Sequence, residues 1–198
     1  EVPLALKPGK ALVKLEPLGC VLIIGPWNYP ISLTLQPLVS AIAAGNTAVL
    51  KPSEHAPASS ALIAQLIPEH LPADVIRVFQ GDGNVANKLI EQSFDHIFFT
   101  GGSNIGKEVM LAAAKHLTPV TLELGGKSPA IVAKDADLEI TARRLIWSKG
   151  LNAGQTCIAP NHLLVEHSIK APLLDKMKRT LSNFYGLQPI NSPHLGKI

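Results

Sequence analysis

The chain has only two cysteines, Cys20 and Cys157, far apart in sequence. That scarcity excludes a disulfide framework and leaves no paired-cysteine metal spacing. It suits a reducing compartment where a thiol survives, so a cytoplasmic location is expected. Runs of one charge are missing too. Eighteen basic and fifteen acidic residues are scattered to a formal net charge of +3, which writes no nucleic-acid-binding stripe. The apolar runs at 21–24, 41–44 and 48–50 are broken by Gly, Pro or Asn well short of the roughly 20 residues a membrane span needs. Repeats and low-complexity segments are also absent, and 46% hydrophobic content over 198 residues excludes disorder as the main state. The chain starts at Glu1 rather than Met and stops without a terminal cue, so it is expected to be a fragment. The sequence leaves a membrane tail beyond Ile198 open.

What is there is an alternation of short apolar runs with helix-period segments. Residues 18–25 read as a buried strand ending in a Gly-Pro turn. Residues 31–44 read as a helix whose Leu35, Leu38, Val39 and Ile42 recur at helical spacing, and 47–50 as a second strand. Helix at 57–66, strand at 75–79, helix at 85–92, strand at 96–100 and helix at 105–116 continue the series. Strand-to-helix alternation with short links predicts an α/β fold: a parallel Rossmann-like sheet with helices on both faces, whose ligands bind beyond the carboxyl ends of the strands. After a strand at 120–124, Gly125-Gly126 breaks the chain, and 129–132 with 137–151 begin a second α/β unit. The expected division is 1–124 and 125–198.

Several residues carry chemistry. Cys157 follows Gly154-Gln155-Thr156 and precedes Ile158-Ala159-Pro160. A thiol attacks carbonyl carbon only as thiolate, so a nucleophilic cysteine needs a polar, partly open setting with small neighbours. Cys20, by contrast, opens the apolar run Val21-Leu22-Ile23-Ile24 and reads as a strand-core residue. Glu123, in Leu122-Glu123-Leu124-Gly125-Gly126, is the acid placed to activate water against a thioester. Its apolar strand predicts burial and a pKa raised by desolvation.

Asn28 lies in Gly25-Pro26-Trp27-Asn28-Tyr29-Pro30, where two prolines restrict the backbone and fix the direction of an amide that can meet an oxyanion. Asparagine in such a turn is ordinarily a turn former, and Trp27 and Tyr29 are ordinarily packing residues. Gly101-Gly102-Ser103-Asn104-Ile105-Gly106 follows a strand and opens a helix whose amides and dipole favour a pyrophosphate. It departs from Gly-x-Gly-x-x-Gly and reads equally as a tight βα turn. Lys51 and Glu54 leave the second strand on either side of Pro52, and in isolation they read as a solvated turn. His162 invites a cysteine-histidine hydrolase reading, which Pro160 between the two residues disfavours.

Taken together and in order, the motifs at 25–30, 51–54, 99–106, 122–126 and 154–160 resemble the aldehyde dehydrogenase superfamily. The nearest match is its class 3, fatty-aldehyde-like branch, through Pro26-Trp27-Asn28-Tyr29-Pro30, Gly101-Gly102 and Thr156-Cys157-Ile158-Ala159-Pro160. The resemblance implies that 1–124 is a dinucleotide-binding domain and 125–198 the start of a catalytic domain. It implies Cys157 as nucleophile, Glu123 as the base for deacylation, and Asn28 with the Cys157 backbone N–H as the oxyanion hole. Gly101, Gly102 and Gly106 would then hold the dinucleotide, Lys51 and Glu54 the adenosine ribose hydroxyls, and Trp27 and Tyr29 would line the substrate path. NAD and NADP both remain open, since that branch accepts either. The expected partner is an aldehyde, of medium or long chain, and the expected parent is a homodimer. A cysteine hydrolase and a noncatalytic nucleotide-binding module are the rival readings.

Overall fold

The computed structural model describes residues 2–196. It divides into two units between Glu123 and Leu124.

In the first unit, the described residues before Gly19 form little regular structure beyond a 3₁₀ turn at Leu4–Leu6. The body that follows alternates β1 (Cys20–Ile24), α1 (Ser32–Ala43), β2 (Thr47–Lys51), α2 (Pro57–His70), β3 (Ile76–Val78), α3 (Gly83–Ile90), β4 (His96–Gly101), α4 (Ser103–Ala114) and β5 (Val120–Leu124). Its sheet runs β3-β2-β1-β4-β5. The β1–β2, β1–β4 and β2–β3 pairs are parallel. That order is the doubly wound one, and its switch point lies between β1 and β4.

β1 is central, so both its faces are covered and Val21, Leu22, Ile23 and Ile24 are all buried. A strand buried on both faces reads as a continuous apolar run, which is why it was visible in the sequence. On one face Val21, Ile23, Ala48, Leu50 and Ile76 pack with Leu38 of α1 and Ile63 and Ile67 of α2. Each buried Val, Leu or Ile among them contributes about 1.5–3 kcal/mol of transfer free energy. Gly25, just after β1, is needed for close approach, because a Cβ there would occupy the place of the buried Thr34 hydroxyl.

Element boundaries differ from expectation for local reasons. α2 runs on to His70 through Pro68, and α1 accommodates Pro37. α3 starts at Gly83 because the Asp82 carboxylate caps it by accepting from Asn84 N–H at 3.0 Å. α4 opens two residues before the expected start, with Gly102 as its N-cap. Cys20 is half-buried rather than a full core residue, and its N–H donates to the Asp95 carboxylate at 2.7 Å.

His96, at the start of β4, is partly buried and hydrogen-bonded to Thr121 Oγ1 at 3.0 Å. Burial holds its pKa below the ordinary histidine value. The folded state therefore binds this proton less readily than the unfolded chain does, so stability falls as pH drops from about 6.5 toward the lower folded-state value. Thermal melts across that window should slope in this sense. His96→Gln, which keeps a partner for Thr121, should flatten the slope, and an unchanged slope would remove His96 as its source.

The second unit is smaller. β6 (Pro129–Val132) pairs in parallel with β7 (His162–Val165), joined through α5 (Leu138–Gly150), and α6 (His167–Tyr185) follows. Val132, Ala142 and Leu173 form its buried centre, with Leu145, Val165, Ile169 and Met177 against them. The Asp137 carboxylate caps α5 by accepting from the N–H groups of Glu139 and Ile140. Among the described residues, no helix is long and apolar enough to cross a membrane.

Candidate active site

Parallel register brings the predicted cofactor residues of the first unit to one edge of its sheet. Ile24 is level with Lys51 on one side and Phe99 on the other. The turn carrying Asn28, the Lys51–Glu54 segment and Gly101-Gly102 therefore all leave the carboxyl ends of adjacent strands.

Lys51 does not reach outward. It is the last residue of β2, only 2% exposed, and its Nζ donates to the Pro52 carbonyl at 3.0 Å and to Glu54 Oε2 at 2.7 Å. Proline after Lys51 ends the ladder and lets the chain turn back so that Glu54 covers the ammonium. Burial alone would push the Glu54 carboxyl up, but the hydrogen bond and charge of Lys51 outweigh it and hold the group below its ordinary range. The pair presents an ionised carboxylate at the rim of the sheet. Sequence reasoning placed both residues here but not their mutual bond.

The two adjacent glycines do different things. A Cβ on Gly101 would lie 2.5 Å from the Phe99 ring, so its missing side chain is used by packing. A Cβ on Gly102 would meet nothing within 4 Å, so this face borders open space. No side chain caps α4, and as first-turn amides those of Ser103, Asn104 and Ile105 have no intrahelical acceptor. Gly106 lies one turn further in. It is buried, and its N–H already donates to Gly102 O at 3.0 Å, so it contributes close packing rather than a free amide. A glycine-bordered helix N-terminus at a switch point fits the pyrophosphate of a dinucleotide. Trp27 is 48% exposed and Tyr29 is partly buried, its carbonyl accepting from Leu33 N–H.

Glu123 is exposed. The expected burial is not found, because β5 is an edge strand of this sheet and its side chain at this position lacks a covering layer. The desolvation argument for its carboxyl therefore has no basis in this structure.

In the second unit Cys157 is exposed, as a reactive thiol requires. Its carbonyl lies against Gly126, where a Cβ would come within 2.9 Å of Cys157 O, so a glycine is required for close approach. Upstream, Asn152 (φ 50°), Ala153 (φ 53°) and Gly154 (φ 80°) are all left-handed. Glycine adopts that region freely and asparagine tolerates it, whereas alanine pays about 1–2 kcal/mol. Asn152 and Gln155 close the turn on each other. Gln155 N and Nε2 donate to Asn152 O at 3.1 and 3.0 Å, and Asn152 Nδ2 donates to Gln155 O at 3.3 Å. Sequence reasoning missed this turn, since its only signal was Asn-Ala-Gly, which also suits an ordinary loop. His162 stands exposed at the start of β7, and no hydrogen bond joins it to Cys157 among the described residues.

The first unit is a doubly wound sheet with a glycine-bordered helix N-terminus beside its switch point, and the second carries an exposed thiol after a left-handed turn, which together define an α/β protein. Residues 2–193 match the model of the aldehyde dehydrogenase family, and the chain belongs to that family. It is 51% identical over 183 residues to the mouse dimeric NADP-preferring aldehyde dehydrogenase, covering 92% of this chain and 40% of that protein. It is 50% identical over 189 residues to aldehyde dehydrogenase family 3 member A2 of Pongo abelii, covering 96% and 39%. Among solved structures, the substrate-bound state of Staphylococcus aureus AldH superposes with a TM-score of 0.96 at 46% identity, over 100% of this chain and 43% of that one. An indole-3-acetaldehyde dehydrogenase complexed with NAD+ superposes at 0.80 with 38% identity, over 89% and 37%. The chain thus spans about two fifths of the length of these curated relatives.

Proposed function

We propose that a protein carrying this segment oxidises an aldehyde to a carboxylic acid with NAD or NADP, through a covalent adduct on Cys157. The observation that carries the reading is the exposed Cys157 on its built turn, within a chain matched to the family from residue 2 to 193. The first unit would serve as the dinucleotide-binding domain, up to about residue 124, and the second as the start of the catalytic domain. Gly102 and the first-turn amides of α4 would meet the pyrophosphate, and the Lys51–Glu54 pair the adenosine ribose hydroxyls. When bound, the nicotinamide supplies the acceptor for a hydride.

The chain's own groups do the rest. Cys157 thiolate adds to the aldehyde carbon, forming a C–S bond and moving an electron pair onto oxygen. The Asn28 side-chain amide and the Cys157 backbone N–H donate to that oxyanion; removing one such donor typically costs about 2.7–4 kcal/mol of barrier. As the oxyanion collapses, the carbon loses its hydride and a thioester remains on sulfur. Glu123 then takes a proton from water, whose oxygen adds to the thioester carbon, and the C–S bond breaks to return the thiolate and release the acid. A carboxylate in this place favours water over another acyl acceptor. Trp27 and Tyr29, at the mouth of the β1 turn, would face the substrate, for which we propose a medium- or long-chain aldehyde. The mouse relative, a dimeric NADP-preferring enzyme by name, supports a dimeric parent and NADP use, and the NAD+ complex supports NAD.

The test compares this 198-residue chain with an extended chain of the relatives' length on a medium-chain aldehyde, following the absorbance of reduced cofactor. Turnover is expected only from the longer protein. Equal turnover by the short chain would overturn the domain reading. Thioester or ester hydrolysis that needs no dinucleotide, with no aldehyde oxidation, would favour the cysteine hydrolase.

A further inference from the structure

Cys157 leaves a left-handed turn that one of its own residues, Ala153, is poorly suited to adopt, and two amide side chains close that turn. We propose that Gln155, together with Asn152, is a positioning residue for the nucleophile: the amide clasp offsets the backbone strain at Ala153 and so fixes where Cys157 leaves the turn. This rests on the reading of Cys157 as the nucleophile.

The geometry is specific to a primary amide at both positions. Two N–H groups of Gln155 converge on one carbonyl, that of Asn152, which has two lone pairs to receive them. The return bond, from Asn152 Nδ2 to Gln155 O, makes the closure reciprocal. A carboxylate at either position could accept but not donate, and would lose the side-chain half of the clasp. A second turn, from Thr156 to Ala159, contains the nucleophile itself. Ala159 N–H donates to Thr156 O at 3.1 Å, and the Ala159 side chain is buried as its anchor. The Cys157 carbonyl is held against Gly126. The backbone at Cys157 is thus bounded on both sides while its thiol faces outward, and Gln155 is the residue that ties down the upstream side. Below the turn, Gly150 admits the Tyr185 hydroxyl where a Cβ would otherwise stand, so α6 supports the turn's base. None of these contacts touches the sulfur. Gln155 acts through the placement of Cys157, not on the reacting atoms.

A double-mutant cycle tests this. In a full-length enzyme carrying the segment, Gln155→Ala is expected to lower kcat by about 100-fold, the scale of a small misplacement of a reacting group, with KM for the aldehyde unchanged. Gln155→Glu should behave the same way. Ala153→Gly alone should leave kcat near wild type, and adding it to Gln155→Ala should recover most of the loss, because glycine needs no clasp to stay left-handed. In the 198-residue chain, hydrogen exchange at the amides of residues 154–157 should accelerate in Gln155→Ala and slow again in the double variant. The proposal is overturned if the double variant is no faster than Gln155→Ala, if Gln155→Ala raises KM with kcat intact, or if exchange does not respond. Should Cys157→Ala retain turnover, the nucleophile reading falls instead, and the exchange result still reports on the clasp.

Discussion

Replacing Cys157 with alanine is expected to abolish aldehyde oxidation in the full-length enzyme while leaving dinucleotide binding nearly intact. The thiol is exposed, so its removal takes away no buried contact, and an exposed substitution of this kind usually changes stability by within about 0.5 kcal/mol. The groups assigned to the cofactor, Gly102 with the α4 amides and the Lys51–Glu54 pair, all belong to the first unit and are untouched. Without a nucleophile there is no covalent adduct, and the barrier reverts to direct attack by water on a free aldehyde. Steady-state turnover and a cofactor fluorescence titration, run side by side, separate the two effects. Residual turnover above a few per cent would remove Cys157 from the role, and loss of cofactor binding with turnover would point to a folding defect. Cys20→Ala is the control: its site is half-buried in β1, and it should cost roughly 1 kcal/mol of stability with chemistry intact.

Glu123→Gln should divide the reaction at its midpoint. On the proposed mechanism hydride leaves before a base is needed, so reduced cofactor is expected to appear in a pre-steady-state burst stoichiometric with active sites, followed by slow turnover limited by thioester hydrolysis. General-base contributions of about 10²–10⁴-fold set the size of the slowdown. Glutamine keeps the shape of the side chain and loses only the capacity to take a proton. Because Glu123 is exposed at the end of an edge strand, the substitution should leave the melting temperature unchanged. Disappearance of the burst itself would mean that Glu123 acts earlier, on the thiol, and would refute its assignment to deacylation alone.

The legible parts of this molecule were those whose physics is local or periodic. β1 announced itself because a strand covered on both faces has no polar alternation to blur it, and the helices through α4 followed from apolar spacing and glycine breaks. The second unit was harder. β7 begins two residues after Pro160, and α6 brings the buried Leu173 and the partly buried Ile169 and Met177 to its core at a spacing of four with Pro172 inside, which masks a helix to any rule that reads proline as a stop. In the site, exposure of Cys157 followed from its small polar neighbours. Burial of Glu123 did not follow from its apolar neighbours, because a strand's own composition does not reveal whether it lies at the edge of the sheet. The Lys51–Glu54 bond and the left-handed turn were illegible for a related reason. Each depends on where the backbone turns next, and at Ala153 the residue type argues against the conformation it holds.

The strand order also fixes when the molecule can fold during synthesis. β1 leaves the ribosome well before one of its two neighbours, β4, which is made some seventy-five residues later, the separation spanned by the bond from Cys20 N–H to Asp95. Until then Val21–Ile24 can be covered on the β2 side only, and its other edge stays an open template for a neighbouring chain. A ribosome stalled between α2 and β4 would therefore hold a nascent chain with its stickiest strand uncapped, and that interval is when a chaperone has most to protect.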